Sequence, residues 1–247
     1  MGSGPGSLDL LAPRAREVLE QSEYVIGNAS YLLPLEPLLR GKEVIKSRMG
    51  QEIERAQRAI NLAKTHVVSM VSGGDPGIYG MASIVLEILS QSDILVPVEV
   101  IPGISAAQAA GARLGSPLSG DHVVISLSDL LTPWEEIERR LRLAFAMNIP
   151  IVLYNPRSRS RPHHLATVIA LAQEYRSKTT PIAVVQNAYR EGETMFVTNL
   201  GEGDTIIART DMHSTVFIGG EESWIWKEGD DVRGIITPRG YHKKYLY

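Results

Sequence analysis

Ten consecutive residues of this 247-residue chain hold its densest chemistry: Val71-Ser72-Gly73-Gly74-Asp75-Pro76-Gly77-Ile78-Tyr79-Gly80. Its four glycines let the backbone bend and come close to a ligand with no Cβ in the way. Asp75 sets one carboxylate at the turn, and Pro76 stiffens it while removing an amide donor. An acid without a lysine makes a poor phosphate cradle. A ligand with hydroxyls or a positive charge suits it better. A tight structural turn is the plainer alternative, but it needs fewer glycines than these.

Three further turns carry candidate chemistry. Pro102-Gly103-Ile104-Ser105-Ala106 opens a helix with small residues, which helix capping alone would explain. Tyr154-Asn155-Pro156 precedes Arg157, Arg159 and Arg161. Their guanidinium forks suit carboxylates or phosphates, although a solvated helix entry reads the same way. In Gln186-Asn187-Ala188-Tyr189-Arg190-Glu191-Gly192-Glu193, a hairpin loop accounts for most residues, with Asn187 and Arg190 turned toward a ligand. Gly2-Ser3-Gly4-Pro5-Gly6 invites a dinucleotide reading that fails: Ser7 replaces the third glycine of the fingerprint, and Pro5 has no amide for a pyrophosphate. A flexible start is the bland account of that run.

Other chemistries are disfavoured. His163 and His164 are adjacent and cannot both face one ion from a helix, so no metal site is expected. Neither a Gly-x-Ser-x-Gly elbow nor a Walker loop occurs. With zero cysteines, disulfides, thiolate metal sites and iron–sulfur clusters are excluded. The formal net charge of -3 argues against a broad nucleic-acid surface. No apolar run reaches the roughly 18 residues of a membrane span, and no secretory leader is visible. A cytoplasmic location is expected.

The elements that position these turns alternate as strands and helices. Gln51 to Lys64 sets Ile53, Ala56, Ile60 and Ala63 on one helical face. His66 to Val71 reads as a parallel strand, Met81 to Leu89 as a helix, Leu95 to Ile101 as a strand and Ile104 to Leu114 as a helix. Gly115-Ser116-Pro117-Leu118-Ser119-Gly120 breaks the pattern. Strands follow at His122 to Leu127, Ile149 to Tyr154, Pro181 to Gln186, Thr194 to Thr198 and Thr215 to Ile218, with helices at Trp134 to Met147 and Pro162 to Tyr175. The expected architecture is α/β: two α/β domains, 1–115 and 116–247, with a cleft between them. The tail from Glu221 holds two tryptophans, and its end, His242 to Tyr247, reads as disordered.

Together these turns resemble the tetrapyrrole methylase family, class III S-adenosylmethionine methyltransferases with two α/β domains. The Gly-x-Gly-Pro-Gly start, the Gly-Gly-Asp-Pro turn and Pro102 to Ala106 carry the match. Asp75 to Ala82, Ile125 to Glu135, Tyr154-Asn155-Pro156 and Thr237-Pro238-Arg239-Gly240-Tyr241 are similar to the branch that methylates C-17 of precorrin-3B, or of cobalt-factor III, with ring contraction in cobalamin synthesis. The family has an apolar strand before its glycine run, where this sequence has only Met1, a difference read as a late start or a truncation.

The resemblance implies that S-adenosylmethionine is held by Pro5, Gly73, Gly74, Asp75, Ile78, Ser105 and Ala106, with Asn155 and Ala188 opposite. The substrate is a polycarboxylated macrocycle. Arg157, Arg159, Arg161 and Arg190 are its candidate ligands, ahead of Arg48. Contraction moves a proton, for which Asp129 is the first candidate, then Ser128 and His213. A homodimer is implied as well. Alternatives are another tetrapyrrole, RNA or protein methyltransferase of the class, a non-catalytic nucleotide-binding module, and a nicotinamide-dependent oxidoreductase.

Overall fold

The structure is a computed structural model and describes residues 1–246. It divides into two compact units, Met1–Ser105 and Ala106–Tyr247, with Tyr247 outside the described residues. No helix among the described residues is long and apolar enough to cross a membrane.

The first unit contains α1 (Pro13–Gln21), β1 (Tyr24–Asn28), α2 (Ala29–Leu32), β2 (Glu43–Ser47), α3 (Glu52–Leu62), β3 (Val68–Val71) and α4 (Ala82–Ser90). Its strands are parallel in the order β2-β1-β3. The central strand buries Val25 and Ile26 completely, as the middle of a parallel sheet must. Asn28 ends it and caps α2, its side chain accepting the Ser30 N–H at 2.9 Å. Leu11, Ala15, Leu19, Leu32, Leu35, Leu39, Val71 and Ile101 pack with Val25 as the core.

Two expectations fail here. The α3 face is rotated: Arg55, Ala56, Ala59 and Ile60 are buried, whereas Ile53 is exposed. Arg55 is accommodated by donating to the Ser47 hydroxyl at 2.7 Å. The strand expected over Leu95 to Ile101 has no ladder. A strand exists by its neighbour, and an apolar slot of about 340 Å³ stands between Val68, Ser69 and Met70 and the run Val96 to Ile101. Met1 closes one end of that slot, its ammonium donating to the Met70 carbonyl at 2.8 Å. From there Ser72 N–H donates to Met1 O at 3.0 Å, Gly2 N–H to Ile101 O at 2.9 Å and Ser3 N–H to Ser72 O at 2.8 Å.

The second unit contains α5 (Ala106–Arg113), β4 (Gly115–Ser116), β5 (Val123–Ser126), α6 (Trp134–Ala146), β6 (Ile151–Tyr154), α7 (His164–Tyr175), β7 (Pro181–Gln186), β8 (Thr194–Asn199), α8 (Gly203–Ala208), β9 (Ser214–Ile218), β10 (Trp224–Glu228) and β11 (Asp231–Ile236). Its main sheet runs β5-β6-β9-β7-β8, with β5 and β6 parallel and the other pairs antiparallel. Two buried clusters cover the sheet. One includes Leu127, Leu141, Phe145 and Leu153, the other Ala107, Leu114, Val152 and Phe217.

The tail is built into this unit. β10 and β11 form a hairpin that turns at Gly229 (φ 62°), and β11 pairs in parallel with β4, so the turn formers at Gly115 and Ser116 become an edge strand. Thr237 Oγ1 donates to Pro117 O at 2.7 Å. Of the end expected to be disordered, His242 to Tyr247, the first two residues belong to a 3₁₀ turn, Tyr241–Lys243, and Tyr247 lies outside the described residues.

Candidate functional site

In the first unit the glycine-rich turn follows β3 and precedes α4, at the carboxyl end of the sheet where open α/β folds bind ligands. Gly2, Gly74 and Gly103 meet backbone to backbone. A Cβ on Gly103 would lie 2.2 Å from Gly74 O, and one on Gly2 2.4 Å from the same atom. A Cβ on Gly73 would enter the Tyr31 ring at 2.5 Å, and one on Gly80 would meet Pro76 O at 2.6 Å. Close approach of chain to chain therefore requires these glycines before any ligand does.

Asp75 ties the turns together. Its Oδ1 accepts the Gly77 N–H at 2.8 Å and its Oδ2 accepts the Gly103 N–H at 3.0 Å. The carboxylate is thus fixed by two backbone donors and keeps a second lone pair on each oxygen. Ile78 and Tyr79 stand exposed beside it, Tyr79 with a left-handed φ of 51°. Pro5 and Ser105 are buried. Burial lowers the pKa of the nearby Met1 ammonium from 8.0 to about 6, with the Asp75 charge pulling the other way.

In the second unit a polar cluster forms at the carboxyl ends of β5 and β6. Asn155, held at φ 51°, donates from Nδ2 to Ser126 Oγ at 2.9 Å, and Ser128 N–H donates to the same oxygen at 3.2 Å. Arg161 Nη1 donates to Ser128 Oγ at 3.3 Å and lies 3.8 Å from Asp129 Oδ1. His164 Nε2 is 3.5 Å from Asp129 Oδ2 on the other side. Asn187 (φ 49°) and Tyr189 (φ 59°) repeat the left-handed strand ending after β7. Strained endings of this kind gather where side chains are aimed for function.

The other expected site residues fall as follows. His213 lies with the β7 ending, its carbonyl accepting the Asn187 N–H at 3.1 Å, apart from the Ser128–Asp129 cluster. Arg157 ties its loop to α8 by donating to Ile207 O at 2.8 Å. Arg159 and Arg48 are exposed, Arg190 is half-buried in the loop after β7, Ala188 packs partly on the sheet cluster, and Ala106 starts α5 at the surface. Tyr154 has a role that its motif alone does not reveal: its Oη accepts the Ala107 N–H at 2.6 Å and so caps α5. His164 enters the sequence argument only as a metal ligand. The usable signal for His164 was Trp134 in the branch-specific block, on which its ring stacks at 4.2 Å.

The sequence profile of the Tetrapyrrole (Corrin/Porphyrin) Methylases matches residues 1–204. The chain is 43% identical over 242 residues to a probable cobalt-factor III C(17)-methyltransferase of Salmonella typhimurium, covering 98% of each. It is 37% identical over 246 residues to the cobalamin biosynthesis protein CbiHC of Archaeoglobus fulgidus, covering 99% of this chain but spanning only 53%, about half, of that longer relative. Among solved structures, that of the methyltransferase CobJ superposes with a TM-score of 0.89 at 30% identity, covering 96% of this chain and 97% of CobJ. A profile match over most of the length, joined to these near-full-length likenesses, makes this chain a member of the tetrapyrrole methylase family.

Proposed function

We propose that the chain is an S-adenosylmethionine-dependent C-methyltransferase of cobalamin synthesis. It methylates C-17 of a corrin precursor, precorrin-3B or cobalt-factor III, and contracts the ring. The observation that carries the donor assignment is the Asp75-locked meeting of two backbone turns. No lysine or arginine lies between Ser72 and Gly80 or between Pro102 and Ser105. Main-chain groups, one acid and exposed Ile78 suit a cationic donor with hydroxyls and an adenine ring and no phosphate. When bound, the donor supplies an electrophilic methyl group on a sulfonium. Pro5, Gly73, Gly74, Asp75, Ile78 and Ser105 are its residues in the first unit. They have to align and desolvate it, since in-line methyl transfer needs orientation more than a strong base.

In the second unit, Arg161 and Arg159 take macrocycle carboxylates, with Arg157 and Arg190 completing the set. Asp129 moves the proton that contraction requires, and Ser128 beside it offers a hydroxyl. The protein works as a cytoplasmic homodimer in this reading. Calorimetric titration with S-adenosylmethionine tests the donor site. Asp75→Ala should weaken binding tenfold or more, about 1.4 kcal/mol. Incubation of the wild type with precorrin-3B or cobalt-factor III should add one methyl group by mass. Donor binding with no methylation of either macrocycle would sink the substrate assignment while sparing the donor site.

A further inference from the structure

His164 opens α7 with its ring fixed on three sides. Nδ1 lies 3.2 Å from Leu127 O, the ring stacks on Trp134 at 4.2 Å and 21°, and Nε2 faces Asp129 Oδ2 at 3.5 Å. A carbonyl oxygen only accepts, so Nδ1 carries a hydrogen. Neutral imidazole then has a lone pair at Nε2, aimed at a carboxylate that is itself acceptor-only when ionised. At 3.5 Å the two atoms are placed to attract whenever Nε2 takes up a proton. Among the described residues, Arg161 also faces this carboxylate, 3.8 Å from Asp129 Oδ1.

We infer that His164 is the positioning residue for Asp129, fixing the carboxylate's direction and offering Nε2 as a second place for the proton that Asp129 moves. The inference rests on Asp129 as the proton-moving group and goes further by naming what aims it. Trp134, in the same loop-to-helix segment as Asp129, sets the plane of the imidazole. The Leu127 carbonyl, at the end of the fully buried Leu127, sets which nitrogen turns outward. Nothing is oxidised or reduced. The proton that the macrocycle loses or gains is the one that Asp129 gains or loses, and His164 Nε2 is its neighbouring holder.

The test uses single-turnover reactions of the full chain with S-adenosylmethionine and the macrocycle, scoring methylated and ring-contracted product separately. Asp129→Asn should slow contraction by roughly 10²- to 10⁴-fold, the range for a general acid or base. His164→Asn keeps a donor for Leu127 O but removes Nε2. It should lower the maximal single-turnover rate of contraction by roughly 10- to 100-fold, as loss of an orienting neighbour does, with the concentration of either substrate that gives half that rate unchanged. His164→Phe keeps the stack on Trp134 and should show the same loss, which packing alone would not produce. In an Asp129→Asn background, His164→Asn should add nothing further. Wild-type contraction by folded His164→Asn and His164→Phe, beside a slow Asp129→Asn, overturns the role of His164 and leaves that of Asp129 standing. Wild-type contraction by Asp129→Asn refutes Asp129 itself. A His164 defect that persists undiminished in the Asp129→Asn background shows that His164 does not act through Asp129.

Discussion

A chain with a free amino terminus at Met1 should lose stability in mild acid, and acetylating that terminus should abolish the loss. The Met1 ammonium sits at the mouth of an apolar slot, and burial lowers its pKa from 8.0 to about 6. The unfolded terminus takes up a proton below 8.0 and the folded one only below about 6, so unfolding binds a proton within that window. Stability therefore rises with pH across the window, is fully present above it, and is lost as pH falls through about 6. The fall from 8.0 to about 6, at about 1.36 kcal/mol per tenfold change in proton affinity, amounts to about 2.7 kcal/mol. For a chain of this size, that is a Tm change of about 5–10 °C. An Nα-acetyl group removes the charge, keeps one N–H for Met70 O, and fits the slot of about 340 Å³. Thermal melts of both forms from pH 5.5 to 9 isolate this group, because the two forms differ nowhere else. The curves should diverge as pH falls, with the acetylated form more stable. Parallel curves would refute burial of the terminus.

Gly103→Ala would place its Cβ 2.2 Å from Gly74 O, a main-chain atom that cannot swing away. We expect a loss of about 1–3 kcal/mol or more in denaturant titration and weakened S-adenosylmethionine binding; unchanged stability would show that the turns are not packed this closely. Tyr154→Phe strips the Ala107 N–H of its acceptor, which should cost about 1–3 kcal/mol in the same assay, and a neutral result would count against the cap. Arg176 donates to Ile149 O at 2.7 Å and to Gly219 O from a largely buried side chain, and burial lowers its pKa to about 10. Arg176→Met should destabilise by about 1–3 kcal/mol through the carbonyls left bare, while donor affinity measured by calorimetry stays at the wild-type value.

Periodicity located most helices and strands because each buries a stripe or a face of its own: α6, α7, β6, β7 and β9 lie within a few residues of their expected bounds. It failed where the partner decides. Val96 to Ile101 has the residues of a strand, yet a ladder needs a neighbour within bonding reach, and the slot stands between this run and β3. The β10–β11 hairpin was illegible for the converse reason. Trp224 and Trp226 remain partly exposed and β11 buries only Gly234 and Ile235, so its alternation carries no continuous buried face, and its anchor, β4, is only two residues of turn-forming sequence. His164 and Asp129 lie 35 positions apart, and no local pattern announces a contact made by two loops at neighbouring strand ends.

The glycines of the first unit join these two lessons. Counted in sequence, Gly73 and Gly80 suggest room left for a ligand; in space, the room is already taken by Tyr31 and by main chain. Both readings describe one device, because glycines that let turns meet backbone to backbone also leave backbone, instead of side chains, as the surface at the strand ends. A surface of that kind has few means of discriminating ligands. The one acidic or basic side chain in these turns is the carboxylate of Asp75, and it is held by both turns at once through Gly77 and Gly103. Specificity and geometry then depend on the same carboxylate. Asp75→Asn distinguishes this from a purely structural tie. The amide can accept from only one of the two N–H groups, so a structural role predicts lower Tm with donor affinity recovering at low temperature, where the turns stay closed. A role in recognising the donor's positive charge predicts a tenfold or greater loss that cooling does not repair.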